Sequence, residues 1–230
     1  MNLMGILYVV ATPIGNLKDI TFRAVEIFRE VDFIVAENNS RALKLLNHFE
    51  IRKPIISINS YNEARKAQGI VAQLSKGKQC ALISGAGTPC ISDPGNTVVK
   101  KCLEEGIEIR PVPGPSAVVS AVSVSGLFAD HFLFYGFLPQ KRGKQKRILL
   151  ELFAFPYPVV FYESPRRLKA TLRNIQEVFG NRQAVVIKEI TKVHEKMYRG
   201  CIQEVLENFP EEEIKGEFTI VVEGKDKNAL

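Results

Sequence analysis

The residues best suited to chemistry fall in five short segments rich in Gly, Pro and small polar side chains, each following an apolar, β-branched run. They are residues 12–16 (TPIGN), 37–41 (ENNSR), 59–63 (NSYNE), 84–95 (SGAGTPCISDPG) and 113–117 (PGPSA). The fourth is the most unusual, with Gly85, Gly87 and Gly95 interleaved with Pro89 and Pro94. Glycines let a ligand approach the backbone closely and permit positive φ, although a tight strand-to-helix connection needs the same residues. The spacing is not the dinucleotide-binding G-x-G-x-x-G, and no G-K-[ST] follows to cradle a nucleotide phosphate. Segment 113–117 opens a run of small residues (116–126) read as a helix. Its first N–H groups could hold a polar ligand, and Ser116 could cap it.

Three further segments stand out in the second half. FYESPRRL (161–168) ends a strand and starts a helix, with Ser164 as cap, Pro165 at the first helical position and Arg166 and Arg167 at the rim. KGEF (215–218) leads into the last strand, and Gly216 there permits a close approach. QKRGKQKR (140–147) holds Lys141, Arg142, Lys144, Lys146 and Arg147 and no acid. A flexible basic cluster of this kind suits a nucleic-acid backbone; a solvated loop is the plain alternative. Hydrolase and metal chemistry find little support. There is no nucleophile elbow and no H-E-x-x-H, and His48, His131 and His194 are scattered. Cys80, Cys90, Cys102 and Cys201 form no C-x-x-C pair and read as buried, reduced thiols of a cytosolic protein.

These segments need a scaffold, and the chain is long enough for one. Its 230 residues are 46% apolar and 24% charged, which excludes a disordered, collagen-like or disulfide-scaffold chain. The net charge of +6 is spread evenly: residues 1–115 carry 14 basic and 11 acidic residues, and 116–230 carry 17 and 14. A mildly basic surface favours polyanionic partners. No signal peptide is read at the N-terminus. The apolar stretch 116–138 contains serines, Asp130 and His131, so no membrane span is expected.

Strand and helix alternate through the first half. Strands are expected at 6–11, 31–37, 53–58, 80–85 and 107–112, and helices at 19–30, 41–49, 61–75 and 94–105, the last beginning at Pro94. The pattern predicts a parallel five-stranded sheet with helices on both faces. Ligands then bind beyond the carboxyl ends of its strands, where the five segments gather. PVPGPSA (111–117) interrupts the alternation, and the domain boundary is placed there: 1–115 and 116–230. The second half reads as a mixed α/β sheet, with strands at 132–136, 158–162, 184–190, 195–200 and 217–222. Helices are expected at 144–153, 165–179 and 202–209. The tail KDKNAL (225–230) reads as frayed.

Six segments occurring in order carry a resemblance: LYVVATPIGNLKDITFRA, AGTPCISDPG, PVPGPSA, FLFYGFLP, FYESPRRL and KGEFTIVVEG. Over residues 7–224 the chain resembles the ribosomal RNA small-subunit methyltransferase I group of the tetrapyrrole (corrin/porphyrin) methylase superfamily. The resemblance implies a two-domain α/β fold, a cytoplasmic homodimer, and S-adenosylmethionine (SAM) in a ligand cleft between the domains. The implied reaction is 2′-O-methylation of a cytidine ribose in the decoding region of 16S rRNA, within the small ribosomal subunit.

The sequence departs from the group's usual pattern on one rim. Asn38 stands where an Asp is usual, Gly85 replaces an Asp, and Asn59 and Ser60 replace a His-Glu pair. Methyl transfer to a ribose hydroxyl benefits from a general base or a stabiliser of the developing alkoxide. The candidates are Glu37, Glu63, Glu163 and Glu189, with Lys188 and Arg166 as charge stabilisers; Glu37, Asn38 and Glu189 are taken as the catalytic set. For SAM the candidates are Ile14, Ala86, Gly87, Thr88, Ser116, Ala117, Tyr162 and Gly216. For RNA they are Lys141, Arg142, Lys144, Lys146, Arg147, Arg166 and Arg167. No metal is expected. Two other readings stay open: a degenerate relative that binds the small subunit without methylating, and a methylase of a tetrapyrrole or another small substrate.

Overall fold

The computed structural model describes residues 4–210 and 214–225. Beyond Lys225, the tail read as frayed lies outside these residues. The chain divides into two compact units, Met1–Ser116 and Ala117–Leu230.

The first unit is a parallel sheet of β1 (Ile6–Val10), β2 (Phe33–Ala36), β3 (Ile55–Ser57), β4 (Cys80–Ile83) and β5 (Glu108–Val112), in the order β3-β2-β4-β1-β5. Successive side chains of a strand point to opposite faces, and both faces are apolar here. Tyr8, Val10, Ile34, Ala36, Ala81 and Ile83 face α1 (Phe22–Glu30) and α2 (Asn39–His48). Leu7, Phe33, Val35, Cys80 and Leu82 face α3 (Glu63–Leu74) and α4 (Asn96–Glu104). The connection leaving β1 runs to one side of the sheet and that leaving β4 to the other. Open α/β sheets bind ligands at such a reversal.

Local capping sets helix ends that periodicity misplaces. The helix expected from Asp19 begins at Phe22, because Thr21 Oγ1 accepts the Ala24 N–H at 3.1 Å; Leu17–Asp19 is a separate 3₁₀ turn. The helix expected from Pro94 begins at Asn96, because the chain turns into it through Gly95 at φ +131°.

The second unit is a mixed sheet of β6 (Leu133–Phe137), β7 (Val159–Glu163), β8 (Gln183–Lys188), β9 (Lys196–Cys201) and β10 (Phe218–Val222), ordered β6-β7-β10-β8-β9. Only β6 and β7 pair in parallel. One face packs on α6 (Arg142–Leu152), α7 (Leu168–Phe179) and α8 (Ile202–Asn208). The other is covered by Val118 and Ala121 of α5 (Ala117–Ser125).

Two expectations are corrected here. The basic segment 140–147 is not a flexible loop: Lys141 is the N-cap of α6, and Arg142 onward is helical. Ser164 does not cap through its side chain, whose hydroxyl donates to Glu163 Oε1 at 3.2 Å; Pro165–Arg167 is a 3₁₀ turn ahead of α7.

Candidate functional site

At the carboxyl rim of the first sheet, three of the five segments are knitted together. The Thr12 N–H donates to Gly87 O at 2.9 Å, and the Gly87 N–H returns to Thr12 O at 3.0 Å. The Ser84 hydroxyl donates to the carbonyls of Ala86 and Gly87 at 3.0 and 3.3 Å. Thr88 Oγ1 donates to Pro115 O at 3.4 Å, tying in the third segment. Gly87 sits at φ +76°, and a Cβ there would lie 3.2 Å from Ile14 Cγ2. Gly87 therefore spends its backbone groups holding the rim, instead of offering them to a ligand as expected. Ile14 is buried against it, with Ala86, Thr88 and Ser116 half-exposed alongside.

The carboxylates of this unit serve different ends. Glu37, half-exposed at the end of β2, accepts the Gly85 N–H at 3.2 Å. Asn38 caps α2, its Oδ1 accepting from Arg41 N–H at 3.0 Å and from the Ser40 hydroxyl at 2.8 Å. An Asp would accept the same two bonds, so the exchange to Asn keeps the cap. Asn59 Oδ1 accepts the N–H groups of Tyr61 and Asn62, and Asn62 Oδ1 returns the favour to the Asn59 N–H. Glu63 is only 7% exposed, and its Oε1 accepts N–H groups of Gly95, Thr97 and Val98 at 3.1, 2.7 and 3.2 Å. It is a cap for α4, which corrects its reading as a base.

In the second unit Glu163 is likewise committed. It is 2% exposed and accepts from the Ser164 N–H (2.6 Å), Arg167 Nε (2.7 Å) and the Thr171 hydroxyl (2.6 Å). Arg167 also donates to Leu138 O at 3.0 Å, so it braces the fold. Glu189, at φ +53°, accepts from Lys192 Nζ at 2.7 Å and from the Glu217 N–H at 2.8 Å. Burial opposes its charge, but Lys192 and the Glu217 N–H prevail and hold the carboxyl below the usual range. What approaches Gly216 closely is Glu189 itself: a Cβ there would lie 2.4 Å from its carboxylate. Lys188 is buried, and Tyr162 packs edge-on to Phe134 at 4.9 Å.

Of the basic residues, Arg142 and Lys146 both meet Glu177, and Arg147 meets Glu151 at 3.3 Å. Lys141, Lys144 and Arg166 are exposed. The sequence reading missed Lys192 and Glu177, although two of the pairings follow helical spacing, Glu163–Arg167 at i,i+4 and Glu189–Lys192 at i,i+3. Burial pushes the Cys80 thiol far up and those of Cys90 and Cys102 to about 11. Among the described residues no helix is long and apolar enough to cross a membrane.

The family model for tetrapyrrole (corrin/porphyrin) methylases matches residues 6–206. A Thermotoga maritima protein named ribosomal RNA small subunit methyltransferase I is 47% identical over 97% of this chain and 100% of its own length. The chain belongs to the tetrapyrrole methylase family. Its relatives include a Bacillus subtilis protein of the same name, 42% identical over 99% of this chain and 78% of that one. Solved structures of tetrapyrrole methylases share the fold at low identity. The methyltransferase CobJ matches with TM-score 0.72 and 15% identity, covering 96% of this chain and 95% of that one. The Thermus thermophilus uroporphyrin-III C-methyltransferase, complexed with S-adenosylhomocysteine, matches with TM-score 0.68 and 14% identity, covering 95% and 97%. The fold is thus shared with these structures despite wide sequence divergence.

Proposed function

We propose that the chain transfers a methyl group from SAM to the ribosomal RNA of the small subunit, at the 2′-oxygen of a cytidine ribose in the decoding region of 16S rRNA. The observation that carries this reading is the 47% identity to the Thermotoga maritima small-subunit rRNA methyltransferase across that protein's whole length. We further propose that the enzyme works in the cytoplasm as a homodimer.

The rim residues fit the cofactor. Segments 12–16, 84–95 and 113–116 contain no Lys or Arg, so a sulfonium cation meets no like charge there. They offer backbone groups of Ala86 and Thr88, the Ser116 side chain and the apolar wall of Ile14. Ala117, Tyr162 and Gly216 are the second unit's candidates. When bound, SAM supplies an electrophilic methyl group, and no metal is required.

The chain's own residues must align the ribose hydroxyl and accept its proton as the O–CH₃ bond forms and the S–CH₃ bond breaks. Glu63, Glu163 and Glu189 each hold two or more donors. Glu37 carries the Gly85 N–H on one oxygen and keeps lone pairs for a substrate hydroxyl. Glu37 is therefore the favoured base, with Asn38 a positioning residue that fixes the start of α2 beside it.

Labelled SAM is mixed with the protein and with small subunits lacking the modification, and 2′-O-methyl riboses are mapped. A labelled decoding-region cytidine is the expected result. No transfer, with a related active enzyme working on the same subunits, would overturn the reading.

A further inference from the structure

A pocket of about 340 Å³ lies between α6 and α7, lined by Arg142, Arg167 and Arg173 and by no carboxylate. Its polar wall is fixed. Gln145, Thr171 and Asn174 line it and are nearly buried. Asn174 donates to Gln145, Gln145 to Thr171 at 3.1 Å, and Thr171 to Glu163 at 2.6 Å. The pocket opens beside the first turn of α6, whose cap residue Lys141 makes no side-chain capping bond. First-turn N–H groups of a helix favour an anion.

The three arginines differ in commitment. Arg167 is neutralised by Glu163. Arg142 shares Glu177 with Lys146 on the exposed surface. Arg173 is exposed and meets no carboxylate among the described residues. A guanidinium presents two parallel N–H groups that match a phosphate.

We propose that this pocket seats a backbone phosphate of an RNA strand between Arg173 and Arg142, with Glu177 as the counter-anion that the RNA displaces. The proposal rests on the rRNA reading above and names a contact surface for that substrate. Exchange is cheap because exposed ion pairs such as Arg142–Glu177 contribute little in water. Arg173 is outside the basic run of residues 140–147, so only the packing of α7 on α6 brings it to the same place.

The test measures the full chain's affinity for protein-free small-subunit rRNA across a salt series, beside methyl transfer to intact subunits. Arg173→Ala should weaken binding about 5–10-fold at low salt and flatten the log–log salt slope by about 0.7–0.9, the share of one phosphate. Arg173→Lys should recover part of the loss, and Glu177→Gln should tighten binding. Arg173 is exposed, so an unchanged Tm confirms that the variant is folded. An unchanged slope in both Arg173→Ala and Arg142→Ala overturns the pocket, whether or not the wild type methylates. A loss seen with intact subunits but not with protein-free rRNA assigns the surface to a ribosomal protein and also overturns it. Arg173-dependent RNA binding without any methyl transfer supports the pocket and counts against the methyltransferase reading instead.

Discussion

The Glu37 carboxylate accepts the N–H of Gly85 at 3.2 Å, bridging the ends of the neighbouring strands β2 and β4. A Cβ on Gly85 would stand 3.3 Å from both Glu37 Oε2 and Arg41 Nη1. The glycine lets the carboxylate and the guanidinium close over a bare backbone. An Asp at this position would put a second carboxylate against Glu37, so Gly85 spares Glu37 a like-charge neighbour.

Glu37→Gln keeps an oxygen to accept the Gly85 N–H but cannot take a proton at neutral pH. Methyl transfer should fall about 10²–10⁴-fold, while Tm stays close to wild type. A turnover rate within a factor of three of wild type would remove Glu37 as the base.

Gly216→Ala should destabilise the second unit by about 2–3 kcal/mol, combining strain at positive φ with displacement of the half-buried Glu189 side chain. The position has φ +89°, and the new methyl would collide with Glu189. Urea unfolding measures the cost. A loss under 0.5 kcal/mol, on the order of an ordinary surface change, would mean that the Glu189 side chain swings away freely.

Lys192 and Glu189 give a stability that depends on pH. The folded pKa of Glu189 is lowered, so its contribution is present above the ordinary value of 4.5 and fades as pH falls through the lowered one. For Lys192, burial works against the charge, but Glu189 and Glu217 outweigh it and raise the pKa; its contribution is present below 10.5 and fades as pH rises through the raised value. Lys192→Met should therefore cost about 1 kcal/mol at pH 7 and less at pH 3. Equal costs at both pH values would assign the effect to packing.

Glu163→Gln should cost about 2–4 kcal/mol, less than a fully buried pair because Arg167 is partly exposed. The amide would leave Arg167 without its counter-charge, and with one acceptor oxygen in place of two it would turn an N–H toward either Arg167 or Thr171, the residue that leads on to Gln145 and Asn174. Denaturant midpoints for Glu163→Gln, Arg167→Gln and the double variant would measure the coupling. Additive losses would show that the two groups act independently.

The alternation of buried β-branched runs with amphipathic helices made the parallel sheet legible, because strands covered on both faces must be apolar throughout, as FIVA of β2 is. The mixed second sheet was legible for a similar reason, from two strands with no helix between them. Helix starts were less legible: Thr21 and Gly95 decide them by local geometry, not by periodicity. Side-chain roles were least legible. Glu37, Glu63, Glu163 and Glu189 look alike in sequence, and only the tertiary fold shows that three of them each hold two or more donors. The basic run at 140–147 was visible, but that it is helical and shares Glu177 depends on how α6 meets α7.

Glu63 also determines what the first unit refuses. Its buried carboxylate plugs the start of α4, a helix N-terminus of the kind that otherwise attracts an anion. ATP or a dinucleotide arriving there would find the donors taken and a negative charge in their place. The sheet keeps the outline of a nucleotide fold while its anion receptor is filled from within. At this helix end an anionic group would meet the protein's own acid instead of free N–H groups.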